Sequence, residues 1–109
     1  MNTMQATENT QPFDILVVDD MVENLRVITS MLTEADYHVR TATDGELALK
    51  SIDYRPPALV LLDIRMPGMD GFEVCRRIRG NPALADIPII LLSAQDDSSS
   101  RINGFKAGA

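Results

Sequence analysis

The 109-residue sequence predicts an α/β fold in which a parallel sheet is covered by helices on both faces. Three observations carry this expectation. The apolar runs 15–18, 58–62 and 88–92 are short and unbroken, as in strands buried on both faces. Between them lie stretches whose apolar residues recur at helical spacing. Strands and helices alternate along the chain, which implies parallel pairing through right-handed crossovers.

The elements follow in order. Residues 1–12 are mostly Asn, Thr, Gln and Glu without periodicity, so they read as a flexible leader to a domain spanning 13–109. The first strand is expected over 13–18, stopped by Asp19-Asp20. Met21, Leu25, Ile28, Leu32 and Ala35 then form the stripe of an amphipathic helix. Residues 37–42, with β-branched Val39 and Thr41, read as the second strand, and Thr43-Asp44-Gly45 starts a helix over 46–52. Pro56-Pro57 closes that helix before the third strand, 58–62, which stops at Asp63. Met66-Pro67-Gly68-Met69 has Pro and Gly where a type II turn requires them. Asp70 and Glu73 suggest a capping box for a helix through Val74, Cys75 and Ile78 to Gly80. Asn81-Pro82 breaks the pattern, the run 88–92 supplies the fourth strand, and 98–106 can be helical with Ile102 and Phe105 inward.

Composition narrows the function. With 45% hydrophobic and 24% charged residues the chain is that of one small globular domain. A formal charge of -6 and a pI near 4.5 disfavour direct contact with nucleic acid or an anionic membrane surface. Cys75 has no second cysteine to pair with, and the start lacks a secretory pattern, so a reducing, cytoplasmic setting is expected. No apolar run approaches the roughly 18 residues of a membrane span.

The residues that end the strands carry the chemistry. Asp19-Asp20, Asp63 and Ser93 follow the first, third and fourth strands, and in a parallel sheet those ends share one edge, where ligands bind. Singly, each reads as a solvated strand end, or as a helix N-cap for Ser93. Together, three carboxylates repel one another unless a hard cation shares them, and an all-oxygen donor set suits Mg²⁺. An aspartate beside such a cation can attack phosphorus, because the cation offsets charge on the phosphoryl oxygens. Asp63, alone at its strand end with the Pro67-Gly68 turn behind it, is the expected nucleophile. Ser93 can donate a hydrogen bond to a phosphoryl oxygen, with small Ala94 leaving entry open. His38 reads as an exposed strand residue without a role, Cys75 as a small packed hydrophobe, and Arg76, Arg77 and Arg79 as a solvated helix face.

The runs Ile15-Leu16-Val17-Val18-Asp19-Asp20, Leu61-Leu62-Asp63-Ile64-Arg65-Met66-Pro67-Gly68-Met69-Asp70-Gly71 and Pro88-Ile89-Ile90-Leu91-Leu92-Ser93-Ala94 resemble the receiver domain of two-component response regulators. The resemblance implies a flavodoxin-like sheet of strand order 2-1-3-4-5. It also implies a phosphoacceptor role for Asp63, in a phosphorelay fed by a histidine kinase or phosphotransfer protein. Asp19, Asp20, Asp63 and the backbone carbonyl of Arg65 would hold Mg²⁺, Asp19 mainly through a metal-bound water. Ser93 would bond the phosphoryl group and move on activation, while Arg65 and Gln95 would tune hydrolysis of the acyl phosphate.

The family's Lys-Pro and aromatic switch residue belong to a fifth strand. Lys50 and Lys106 fall in predicted helices and do not match, so a receiver lacking its fifth strand and helix is expected. Its fourth strand would then be an open edge prone to self-association. Two other functions compete: a phosphorylation-independent interaction module, and a small Mg²⁺-dependent phosphohydrolase. The latter commonly needs an acid/base Asp two residues after the nucleophile, where this chain has Arg65. Nucleotide binding lacks a glycine-rich loop after the first strand.

Overall fold

The computed structural model describes residues 13–92. Four strands, β1 (Asp14–Val18), β2 (His38–Ala42), β3 (Leu59–Asp63) and β4 (Ile89–Leu92), alternate with α1 (Val22–Glu34), α2 (Gly45–Tyr54) and α3 (Gly71–Arg79). The strands pair in parallel in the order β2-β1-β3-β4. This is the flavodoxin-like arrangement of the doubly wound sheet, with the order reversing beside β1.

Alternation along β1 and β3 divides the core in two. Leu16, Val18, Val60 and Leu62 face α2 and α3, where they pack with Ala48, Ile52, Val74, Cys75 and Ile78. Ile15 and Val17 face α1 and meet Leu25, with Ile28, Leu32, Val39, Leu59 and Leu61 half-buried around them. Leu16, Ile52, Leu62 and Ile78 are fully buried, each stabilising the fold by about 1.5–3 kcal/mol. Buried Cys75 belongs to this packing, and burial pushes its thiol pKa up, as expected of an inert core cysteine.

Several local expectations needed adjustment. The helical stripe of α1 is narrower than its spacing suggested, because Met21 is the N-cap and stands 52% exposed. The third strand runs one residue further, so Asp63 lies inside the ladder opposite Leu92. Asp70 caps α3 by accepting from the Glu73 amide at 2.9 Å, yet the Glu73 carboxylate pairs with Arg76 and Arg77, leaving half a capping box. A 3-10 turn, Pro82–Leu84, follows Asn81 and buries Leu84. Gly68 has φ 76, as the type II turn demands. Asp44 starts α2 by accepting from the Leu47 amide. The leader 1–12, Ser93, Ala94, Gln95 and the helix expected over 98–106 lie outside the described residues.

At the other end of the sheet from Asp63, Arg40 ties three elements together. Its guanidinium contacts both Asp14 oxygens, at 3.3 and 2.9 Å, and donates to Ser51 Oγ and to the carbonyls of Ser51 and Arg55. The C-terminal end of α2 is thus tied to β2, with Arg40 joining the Arg55 N–H on the Ser51 carbonyl and supplying a donor to the carbonyl of the C-cap Arg55. His38, exposed as expected, shares the Asp14 carboxylate at 3.1 Å.

Candidate functional site

β1 and β3 are adjacent and parallel, so their C-terminal ends deliver Asp19, Asp20 and Asp63 to one place. Carboxylate oxygens of the three lie within 4.8 Å of one another. Their environments differ: Asp19 is buried, Asp20 exposed and Asp63 between.

Asp19 is held from several directions. Its backbone N–H donates to the Ala42 carbonyl at the end of β2. Its Oδ1 accepts from the Met21 N–H at 2.9 Å and its Oδ2 from the Asn24 side-chain amide at 3.0 Å. Asp63 is fixed by the ladder, and its Oδ1 accepts from the Arg65 N–H at 3.3 Å. Burial raises the Asp63 pKa, and the charges of Asp19 and Asp20 add to the rise against the opposing Arg65 hydrogen bond. The Arg65 side chain itself is exposed.

Two glycines set the approach of the helices. The Gly71 N–H donates to the Ile64 carbonyl at 2.9 Å, which seats the start of α3 directly behind Asp63. A β-carbon at Gly71 would collide with the Asp63 carbonyl oxygen and lie 2.9 Å from Ile64 Cα. One at Gly45 would lie 2.8 Å from Val74 Cγ2 and 3.1 Å from Met69 Sδ, so the bare start of α2 leaves room for these two side chains.

Of the residues singled out from sequence, the structure unites Asp19, Asp20 and Asp63, with the backbone of Arg65 at the third. Asn24 and Gly71 escaped sequence reasoning. Asn24 could have been found from its place in the first turn of a helix that directly follows an acidic pair, and Gly71 from its place at a helix start eight residues beyond Asp63. Arg79, read as part of a solvated face, instead donates to the Ala85 and Ile87 carbonyls and fastens the 3-10 turn.

The donor set fits a hard divalent cation. It offers oxygen alone, its three carboxylates lie within 4.8 Å of one another, and one member is buried and oriented in advance.

Comparison with known proteins agrees with this geometry. The response regulator receiver domain family matches residues 15–109. Response regulator PleD of Caulobacter vibrioides is 45% identical over 95 residues, which are 87% of this chain and 21% of PleD. The alkaline phosphatase synthesis transcriptional regulatory protein PhoP of Bacillus subtilis is 38% identical over 87% of this chain and 39% of its own length. The chain therefore spans about a fifth to two fifths of these relatives. Among solved structures, the N-terminal domain of a response regulator receiver protein from Methanoculleus marisnigri superposes with a TM-score of 0.82 at 39% identity, covering 90% of this chain and 80% of that one. Chemotaxis protein CheY4 of Vibrio cholerae gives 0.87 at 28% identity, covering 91% and 82%. The sheet order, the acidic site at its edge and these relatives agree: the chain belongs to the response regulator receiver domain family, the signalling modules of two-component systems.

Proposed function

We propose that this domain accepts a phosphoryl group on Asp63 from a histidine kinase or phosphotransfer protein, in the cytoplasm and with Mg²⁺. The observation that carries the proposal is the convergence of Asp19, Asp20 and Asp63 within 4.8 Å at the end of the central strands. Asp19, Asp20, Asp63 and the Arg65 carbonyl would hold the cation. When bound, it would offset the crowding of the carboxylates and the charge on the incoming phosphoryl oxygens.

The remaining work falls to the protein. A deprotonated Asp63 oxygen attacks phosphorus in line with the leaving group. One phosphorus–oxygen bond forms as the donor's phosphorus–nitrogen bond breaks, and the histidine nitrogen keeps the electron pair. The ladder and the Arg65 N–H hold the Asp63 backbone and one carboxylate oxygen, so the other oxygen presents to the donor with little reorganisation. Ser93 would donate to a phosphoryl oxygen, and Arg65 and Gln95 would tune hydrolysis.

Incubation with acetyl phosphate and Mg²⁺ tests this, with intact mass as the readout. The expected result is the gain of one phosphoryl group, lost on chelation of the metal and absent from Asp63→Asn. Equal labelling of Asp63→Asn would reject the assignment.

A further inference from the structure

Asp19 is the one buried charged residue among those described, at 6% exposure. A buried carboxylate requires donors, and Asp19 has one on each oxygen. The Met21 N–H belongs to the start of α1, where any residue but proline would supply it. The Asn24 amide depends on side-chain identity. Asn24 is the third residue of α1, and it reaches back beyond the N-cap to Asp19 Oδ2 at 3.0 Å. It is itself exposed, and asparagine is a poorer helix former than alanine, so neither packing nor helix propensity accounts for it.

We propose that Asn24 is a positioning residue for the cation site, orienting Asp19 toward Asp20 and Asp63 without neutralising it. The choice of donor matters here. An ionised carboxylate accepts about four hydrogen bonds, and Met21 and Asn24 occupy one position on each oxygen, leaving each oxygen a lone pair to ligate a cation or to accept a hydrogen bond from its water. Lysine or arginine at position 24 would grip Asp19 and cancel its charge, repelling the cation. Aspartate would add repulsion and offer no donor. A neutral amide gives orientation and leaves the negative charge intact, which is what a partner outside the ligand set must do. The inference rests on the reading of the three aspartates as a cation site.

Titration of the full chain with Mg²⁺ alone, followed by the amide resonances around Asp19, Asp20 and Asp63, tests it without phosphorylation. Asn24→Ala should weaken binding about tenfold. Asn24→Leu, similar in shape and without a donor, should lose as much. In an Asp19→Ala background, Asn24→Ala should change affinity by less than about twofold, because its effect passes through Asp19. Wild-type affinity in both single variants, or an equal loss in the Asp19→Ala background, would overturn the role of Asn24 alone. Failure of the wild-type protein to shift at these amides would overturn the cation site and the inference together.

Discussion

Crowded carboxylates should make this domain less stable than its isosteric neutral variant, and Asp63→Asn measures by how much. At 4.8 Å, the outer bound on the separations within the cluster, two unit charges repel by about 0.9 kcal/mol at the dielectric of water and about 3.5 kcal/mol at an effective dielectric of 20. Asp63 is half-buried and Asp20 exposed, so the lower part of that range applies, about 1–2 kcal/mol. Asp63 has its pKa raised in the folded state, first by burial and then by the Asp19 charge. A raised pKa means that the folded state holds the proton more tightly than the unfolded chain. The stability this supplies is therefore present below the unfolded pKa and is lost as pH rises through the folded one. Asp63→Asn should accordingly be the more stable protein at neutral pH, by roughly 4–8 °C in melting temperature per kcal/mol. The advantage should vanish below the carboxylate range, where Asp63 is neutral too. Urea unfolding followed by circular dichroism at both pH values reads it directly. Added Mg²⁺ should raise the wild-type midpoint by mass action and leave the variant nearly unmoved, closing the gap. Equal stability at neutral pH, or a gain that persists in acid, would refute the crowding argument.

Two further outcomes follow from the same structure. Arg40→Leu removes a largely buried pair, with Arg40 and Asp14 side chains 16% and 18% exposed, along with the donors to Ser51 and Arg55; urea unfolding at neutral pH should show a loss of about 3 kcal/mol. Burial pushes the Asp14 pKa up, but His38 and Arg40 together hold it below the usual carboxylate value, so this stability is present above the unfolded pKa and fades as pH falls through the folded one; the deficit of Arg40→Leu should shrink in acid. Gly71→Ala forces a β-carbon against the Asp63 carbonyl and Ile64 Cα, backbone atoms that cannot rotate away, so it should cost about 1–3 kcal/mol and slow labelling by acetyl phosphate; wild-type values for both would show that α3 yields there freely.

The strands and the acidic site were legible because both are written locally. Each buried strand is an uninterrupted apolar run, and each aspartate of the cluster stands where such a run stops, so parallel pairing alone brings them to one edge. The other contributors were hidden because their meaning depends on partners distant in sequence. Arg40 reads as an ordinary polar strand residue until Asp14 is known to be its neighbour, since the register that pairs Asp14 with His38 is a tertiary fact. Gly71 looks like a helix start until the backbone behind Asp63 is in place. Glu73 satisfied the spacing of a capping box, but two arginines within the next turn compete for its carboxylate and hold it. Arg79 resembled a solvated charge because the carbonyls it bonds belong to a turn that the sequence pattern did not reveal.

Asp63 is the proposed acceptor, and the most direct measurement locates the phosphoryl group itself. Borohydride reduces an aspartyl phosphate to homoserine and leaves phosphoserine, phosphohistidine and free carboxylates unchanged. After incubation with acetyl phosphate and Mg²⁺, reduction and peptide sequencing by mass spectrometry should find homoserine at position 63 and nowhere else. Homoserine at Asp19 or Asp20, or an unmodified position 63 in chains that carry the phosphoryl mass, would contradict the account.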